Sequence, residues 1–102
     1  MRSIADYQGR QVRLTDERLN HILEHREMAG MLAALEQTLR DPELVLQSTT
    51  DEAAELCYRL YAGTLFGDKW LCVVAKYTDD PFVVTAYLTD KPKKGVQLWP
   101  SK

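Results

Sequence analysis

The feature that most constrains the fold is a change in hydrophobic spacing near residue 41. Before it, apolar residues recur every three or four positions, as along one face of an α-helix. From residue 44 onward they alternate with other residues, as in a half-buried β-strand. Asp41-Pro42 separates the two regions, because the residue before a proline avoids helical geometry. The spacing therefore predicts an α+β protein, with two N-terminal helices packed on one face of a four-stranded antiparallel meander sheet.

Two helices are predicted before Asp41. Thr15 has the side chain of a helix N-cap, and Asp16 and Glu17 in the first turn favour the positive end of the helix dipole. Gly30 predicts a bend or break before the second helix. Residues 1–11 are polar and are predicted to form a flexible arm, which leaves residues 12–102 as a single domain. The apolar positions of the second helix are Met28, Met31, Leu32, Leu35 and Leu39.

Four strands are predicted after Asp41, at residues 44–47, 55–62, 69–77 and 82–88. Gly63 and Gly67 mark the connection between the second and third strands, and a turn at residues 78–81 connects the third to the fourth. Short connections of this kind join antiparallel neighbours.

Side-chain alternation predicts which residues share a face of the sheet. Predicted to face the helices are Leu56, Tyr58, Leu60, Leu71, Val73, Ala75, Phe82, Val84, Ala86 and Leu88. The opposite face is predicted to carry Arg59, Trp70, Lys76, Thr85 and Tyr87. Arg59 and Tyr87 would then flank Cys72, roughly 10 Å apart. The alternative is an ordinary solvated sheet face, and a register shift of one residue would overturn the assignment.

Composition excludes several classes of protein. The 102 residues contain no run of about 18 apolar ones, so no membrane span is predicted, and the first residues lack the apolar core of a signal peptide. We therefore expect a cytoplasmic protein. Cys57 and Cys72 lack metal-type spacing, and we interpret them as reduced packing residues. The net charge of −2 argues mildly against binding to nucleic acid, although Lys91, Lys93 and Lys94 form a local basic group.

His21 and His25 stand four residues apart on the first predicted helix and therefore lie on one face of it. Residues 21–25 satisfy the H-x-x-E-H pattern of a zinc protease. Such enzymes need a further carboxylate ligand on another helix and a much larger substrate domain, so we reject that interpretation. No third and fourth ligands for a structural zinc site are apparent, and no cofactor motif occurs. We predict neither a metal ion nor a cofactor.

The chemistry that remains is metal-free cleavage of RNA, in which the 2′-hydroxyl attacks the adjacent phosphate. This reaction needs a base, an acid and a cation near the charged phosphorane. His21 or His25 could act as base or acid, and the planar fork of Arg59 could hold the phosphate. Tyr87 or Thr85 could orient the phosphate through a hydrogen bond. The substrate-binding candidates are Trp70, which could stack on a base, and Lys76.

The order of short motifs along the chain adds a family resemblance. From residue 11 to residue 99 the chain carries, in order, His21-x-x-x-His25, Leu39-Arg40-Asp41-Pro42, Tyr58-Arg59, Lys69-Trp70-Leu71, Val84-Thr85-Ala86-Tyr87 and Lys94-Gly95-x-x-Leu98-Trp99. This order resembles a phage-associated branch of the Barnase–EndoU–colicin–RelE nuclease superfamily. The resemblance implies N-terminal helices on a four-stranded antiparallel sheet, and a metal-independent ribonuclease.

The same resemblance implies partners and site residues. Many members of the superfamily are toxins or processing domains of phage and conflict-system proteins, so RNA and an immunity or antitoxin protein are the implied partners. The implied catalytic residues are His21, His25, Arg59, Thr85 and Tyr87. The alternative is a catalytically silent module that uses the open sheet face to bind a protein partner.

Overall fold

A computed structural model describes residues 1–101, in which two helices and seven strands form. The first half contains β1 (Arg2–Ala5), β2 (Gln11–Leu14), α1 (Asp16–Glu24), a short 3-10 turn (Arg26–Met28) and α2 (Leu32–Arg40). The second half contains β3 (Leu44–Gln47), β4 (Ala54–Thr64), β5 (Gly67–Lys76), β6 (Phe82–Thr89) and β7 (Gln97–Trp99). No helix within residues 1–101 is long and apolar enough to span a membrane.

All seven strands belong to one mixed sheet, in the order β1-β2-β6-β5-β4-β3-β7. Neighbouring strands are antiparallel except β2 and β6, which are parallel and meet at Arg13 and Phe82. The prediction of a four-stranded antiparallel meander behind two N-terminal helices is therefore wrong. The four predicted strands occupy only the centre of the sheet, β1 and β2 precede the helices, and β7 adds an outer strand. These three added strands are only three or four residues long, too short for alternation to distinguish from loop.

Residues 1–11, for which a flexible arm is predicted, contain a paired strand in the structure. Residues 2–5 form strand β1, which pairs with β2 from Arg2 and Leu14 to Ala5 and Gln11. The turn between them is held by Asp6, whose side chain is buried and accepts hydrogen bonds from the backbone N–H groups of Gln8 and Arg10 at 2.9 Å. The polar residues that suggested an arm are thus the ones that fix this turn.

We call Asp6, Tyr7, Arg10, Glu55 and Tyr77 the N-terminal cluster. The Arg10 guanidinium donates a hydrogen bond to Asp6 at 2.8 Å. It also donates to both carboxylate oxygens of Glu55, at 3.0 and 3.2 Å. It also lies 3.8 Å from the ring centroid of Tyr77. The hydroxyls of Tyr7 and Tyr77 donate to Glu55 and Asp6, at 2.8 and 2.5 Å. Every charged group of the cluster is therefore paired, and the cluster ties the N-terminal hairpin to the central sheet.

Both helices pack on one face of the sheet, which we call the helix face. The Thr15 hydroxyl accepts a hydrogen bond from the Arg18 N–H at 3.1 Å, so the predicted N-cap of α1 is confirmed. Ile22 of α1 and Leu35 of α2 are fully buried. They pack in one core with the β5 residues Leu71 and Val73. The sheet face opposite the helices, the open face, carries a separate apolar cluster: Leu44, Leu46, Leu56, Tyr58, Trp70, Cys72, Val74 and Tyr87.

The faces of β4 are the reverse of the prediction. Cys57 belongs to the core under the helices, whereas Tyr58 lies on the open face, and both are fully buried. Because both faces of this strand are covered at its centre, alternation of apolar residues does not identify the helix face. An irregularity between Tyr61 and Thr64 in the β4–β5 hairpin sets the pairing, so that Cys72 lies opposite Tyr58 and not opposite the predicted Arg59.

Strand β6 changes face at a bulge. Val74 pairs with Thr85 but Ala75 pairs with Val83, so Val84 is an extra residue in the strand. Val83 rather than Val84 therefore joins the core under the helices, against the prediction. Beyond the bulge, alternation places Tyr87 on the open face as predicted.

Candidate functional site

The structure divides the predicted catalytic residues between the two faces of the sheet. Arg59 pairs with Leu71 and not with Cys72, so its side chain lies on the helix face. One guanidinium nitrogen of Arg59, Nη1, donates to the backbone carbonyl of Asp41 at 2.6 Å. The same nitrogen lies 3.5 Å from the Asp41 carboxylate. Arg59 is thus engaged beside the end of α2, on the opposite side of the sheet from Tyr87.

The two histidines also lie on the helix side. Their rings are exposed and meet edge to face, with centroids 5.8 Å apart. His25 is the C-cap of α1, and its Nδ1 is 3.9 Å from a carboxylate oxygen of Glu27. Ile22, between them on α1, packs against the helix face. The sheet therefore separates His21 and His25 from Tyr87, so the structure does not bring the predicted base or acid together with the predicted orienting tyrosine.

The open face does bring two tyrosines together. Tyr58 of β4 lies opposite Cys72 of β5, which lies opposite Tyr87 of β6. The three side chains therefore form a row across three strands. At the usual strand spacing the two tyrosine backbones are about 10 Å apart. Sequence reasoning assigned Tyr58 to the core under the helices, and the register error in β4 concealed this row.

Lys93 completes the group, which we call the open-face cluster: Tyr58, Tyr87 and Lys93. The chain between β6 and β7 crosses the open face, where the Lys93 N–H donates to the Tyr58 hydroxyl oxygen at 3.1 Å. The Lys93 ammonium lies 5.9 Å from the ring centroid of Tyr87. Within residues 1–101 no carboxylate lies within 4.0 Å of it. The sequence showed Lys93 only as one of three clustered lysines, without its position.

Burial makes the aromatic hydroxyls of this cluster harder to ionise than a free tyrosine. It raises the pKa of Tyr58 to about 12, and it also raises the pKa values of Tyr87 and the Cys72 thiol. The Tyr87 hydroxyl is buried beside the Tyr58 hydroxyl and the Cys72 thiol, without a hydrogen bond of standard geometry among the described residues. A buried hydroxyl without a well-formed hydrogen bond is unfavourable, so a ligand that opens this cluster would gain by accepting from it.

Three more predicted site residues lie on the open face or at its end. Trp70 packs half-buried against the open-face apolar cluster. Thr85 pairs with the open-face residue Val74. Lys76 ends β5 and forms an ion pair with Asp51 at 3.0 Å, so its charge is already matched. Their placement agrees with the prediction, whereas their roles stay predictions.

The chemistry available on the open face follows from these groups. The open-face cluster supplies one cation, Lys93, and the hydroxyls of Tyr58 and Tyr87. Within residues 1–101 no group of three or more histidine, cysteine or acidic side chains could hold a metal ion. Cys57 and Cys72 are free and buried on opposite faces. The open face can therefore bind an anion and stabilise developing negative charge.

Comparison of the chain with known proteins finds a matching family. Residues 1–99 match the family model described as phage-Barnase-EndoU-ColicinE5/D-RelE like nuclease2. No curated protein and no solved structure matches the chain. The match spans all seven strands and both helices.

Proposed function

This chain belongs to the phage-Barnase-EndoU-ColicinE5/D-RelE like nuclease2 family, and from that premise we propose that its open face binds single-stranded RNA and cleaves it without a metal ion. One observation carries the proposal: the Lys93 ammonium, which forms no ion pair within residues 1–101, lies 5.9 Å from the ring centroid of Tyr87 on the open face. A phosphate on the open face would accept from the Lys93 ammonium, and a local opening of the cluster would let it accept from the buried Tyr87 hydroxyl as well.

The proposed reaction is an internal phosphoryl transfer. The 2′-oxygen of one nucleotide attacks the adjacent phosphorus while its proton passes to hydroxide, which forms water. The bond from phosphorus to the 5′-oxygen breaks, and that oxygen takes a proton from water. The products are a 2′,3′-cyclic phosphate and a free 5′-hydroxyl. Lys93 and the Tyr87 hydroxyl stabilise the charge on the non-bridging oxygens, which increases from ground state to transition state.

Single-stranded RNA is the form that suits this surface. An unpaired base can leave its stack and lie on an aromatic ring, whereas a base in a duplex cannot. Trp70 provides such a ring on the same face as Tyr87. The histidines and Arg59 are not assigned to the reacting phosphate, because the sheet lies between them and Tyr87. A toxic role, with an immunity protein that covers the open face, is part of this proposal.

A second candidate is a catalytically silent binding module on the same fold. It is favoured by the position of both histidines on the helix side of the sheet, away from the open-face cluster, because a general base usually contributes a factor of about 10²–10⁴ to such reactions. The two candidates differ in pH dependence as well as activity. With hydroxide as the base, the cleavage rate should rise about tenfold per pH unit near neutrality, whereas a histidine base would give a plateau.

The test is cleavage of a mixed-sequence single-stranded RNA in EDTA, followed by detection of 2′,3′-cyclic phosphate ends. Lys93→Ala should lower the rate about 100-fold, as expected for loss of one preorganised charge partner. Lys69→Ala, which removes a lysine ion-paired with Asp90 elsewhere, is the matched control and should cleave like the parent. The double variant His21→Ala, His25→Ala should also stay within twofold. An inactive parent would favour the silent module, and inactivation by the histidine variant would overturn the site.

A further inference from the structure

Beside Lys93, the open face continues into a cleft of about 600 Å³. Leu44 and Leu46 of β3 form one side of this cleft, and residues 93–97 form the other. We infer that the cleft binds one unpaired nucleobase of a single-stranded RNA, next to the phosphate held by Lys93. This inference rests on the proposed function and adds a base-binding subsite to it. The volume lies within the range of small-ligand sites.

The walls of the cleft are held in place by contacts within the protein itself, without a ligand. The Gln47 N–H donates to the Val96 carbonyl at 2.8 Å, and the Lys93 N–H donates to the buried Tyr58 hydroxyl. Gly95 lies so close to β3 that an added Cβ would be 2.8 Å from the Gln47 carbonyl oxygen. The segment can therefore lie against β3 only with glycine at this position. A preformed cleft of this kind loses little freedom when a ligand enters.

The occupant follows from the combination of charge and apolar surface. Lys93 and Lys94 are exposed on the same short segment as Val96, of which 65% is exposed to solvent. Within residues 1–101 neither lysine forms an ion pair. Cations beside an apolar slot complement a nucleotide, which combines a phosphate with a planar ring. A paired base could not enter, because its edges and faces are occupied in a duplex.

The first experiment removes bases one at a time from a DNA tetranucleotide. DNA lacks the 2′-hydroxyl and cannot undergo the proposed cleavage, so binding is measured without reaction. We expect fluorescence anisotropy to show one position at which removal of the base weakens binding about tenfold. The other three positions should change affinity by less than about threefold. Equal loss at all four positions, or no binding of the parent oligonucleotide, would overturn the inference.

A pair of matched variants then locates the base. Val96→Glu introduces a charge into the cleft and should abolish the preference for a base at the sensitive position. Leu65→Glu makes the same change at an exposed side chain of the β4–β5 hairpin, about 20 Å along β4 from Tyr58. It should leave the preference unchanged. Both residues are exposed, so both variants should unfold at the parent's temperature. Equal behaviour of the two variants would contradict the cleft as the site.

Lys94→Ala separates charge from base recognition. It should weaken binding of every oligonucleotide in the series. The slope of the logarithm of the binding constant against the logarithm of salt concentration should become shallower by about one. The tenfold preference for the base should remain. A parent that shows the preference but does not cleave RNA would refute the proposed cleavage and support the base cleft. A parent that cleaves RNA but shows no preference for a base would overturn only the base-binding role of the cleft. The cleft would then be assigned to a protein partner.

Discussion

Two polar clusters in this protein use the same residue types in opposite ways. In the N-terminal cluster, tyrosine hydroxyls and a guanidinium face two carboxylates, and each charged group has a partner. In the open-face cluster, a lysine has no carboxylate within 4.0 Å in residues 1–101, and the buried Tyr87 hydroxyl forms no hydrogen bond of standard geometry there. The first cluster is complete without a ligand. The second leaves its cation without an ion pair in residues 1–101, and that difference is the basis for proposing the open face as the binding surface.

The comparison also shows what each arrangement does for the fold. A buried charge network stabilises only while it is complete, because each unmatched member keeps its desolvation cost. The N-terminal cluster therefore holds β1 and β2 on the sheet. An unmatched buried hydroxyl costs stability in the free protein and is compensated when a ligand binds. The experiments below test this contrast, from the largest expected effect to the smallest.

Removal of Arg10 should have the largest effect on stability. Arg10→Ala leaves the carboxylates of Asp6 and Glu55 without their common partner, and the Asp6 side chain is fully buried. We expect the free energy of unfolding in urea to fall by about 3 kcal/mol. Arg59→Ala is the control, since Arg59 pairs with the exposed carboxylate of Asp41, and it should lower the free energy by less than about 1 kcal/mol. Equal losses for the two variants would show that the N-terminal cluster is not a buried network.

Two tyrosine-to-phenylalanine variants compare the clusters by removing one hydroxyl from each. Tyr77→Phe removes a hydroxyl that donates to the buried Asp6 carboxylate, and should cost about 2 kcal/mol. Tyr87→Phe removes a buried hydroxyl that forms no hydrogen bond of standard geometry within residues 1–101, and should be neutral or stabilising within about 0.5 kcal/mol. Urea unfolding measures both. A Tyr87→Phe variant as unstable as Tyr77→Phe would mean that the Tyr87 hydroxyl is satisfied within the protein.

Alkaline pH should destabilise the protein partly through Tyr58. Burial raises its folded-state pKa from 10.0 to about 12, so the folded protein holds this proton more tightly than the unfolded chain. The contribution to stability is complete below pH 10 and is lost as the pH rises towards 12. Between pH 9 and pH 11, the free energy of unfolding of Tyr58→Phe should fall by about 1 kcal/mol less than that of the parent. Identical pH dependence of unfolding in the two proteins would contradict a buried, protonated Tyr58.

The smallest effect is expected at the exposed ion pair of Lys76 and Asp51. Their hydrogen bond lowers the pKa of the Asp51 carboxyl, so the pair favours the folded state above the ordinary aspartate pKa. That contribution disappears as the pH falls through the folded-state pKa. Lys76→Ala should return the Asp51 pKa towards its usual value in a carbon-13 NMR titration, with no measurable change in stability. A large loss of stability would show that this lysine does more than pair with Asp51.

Some of the fold could be predicted because local signals were decisive. The Thr15 cap, the break at Gly30 and the stop at Asp41-Pro42 each act within a few residues, and both helices form between them. Strand β3 occupies the predicted residues, and the predicted core face of β5 is correct. These elements have one buried side or one clear boundary, so the sequence pattern had a single interpretation.

The remaining errors share a physical cause, which is contact across long distances in the chain. Tyr58 is buried by the segment around Lys93, 35 residues away, so the two faces of β4 looked alike in sequence. Asp6 pairs across 71 residues with Tyr77, and a polar stretch that looked flexible became ordered. The bulge at Val84 reversed part of β6 without any local signal such as glycine. The predicted site failed geometrically at Arg59 because it depended on the register of β4.

Chemical-shift mapping with a 2′-O-methyl RNA oligonucleotide, which cannot be cleaved, tests the central claim most directly. The amide signals of Tyr58, Tyr87 and residues 93–97 should shift with a common dissociation constant, while those of His21, His25 and Arg59 stay in place. The opposite result would be the largest chemical-shift changes at His21, His25 and Arg59, with none around Lys93. That result would contradict the assignment of the open face as the RNA-binding surface.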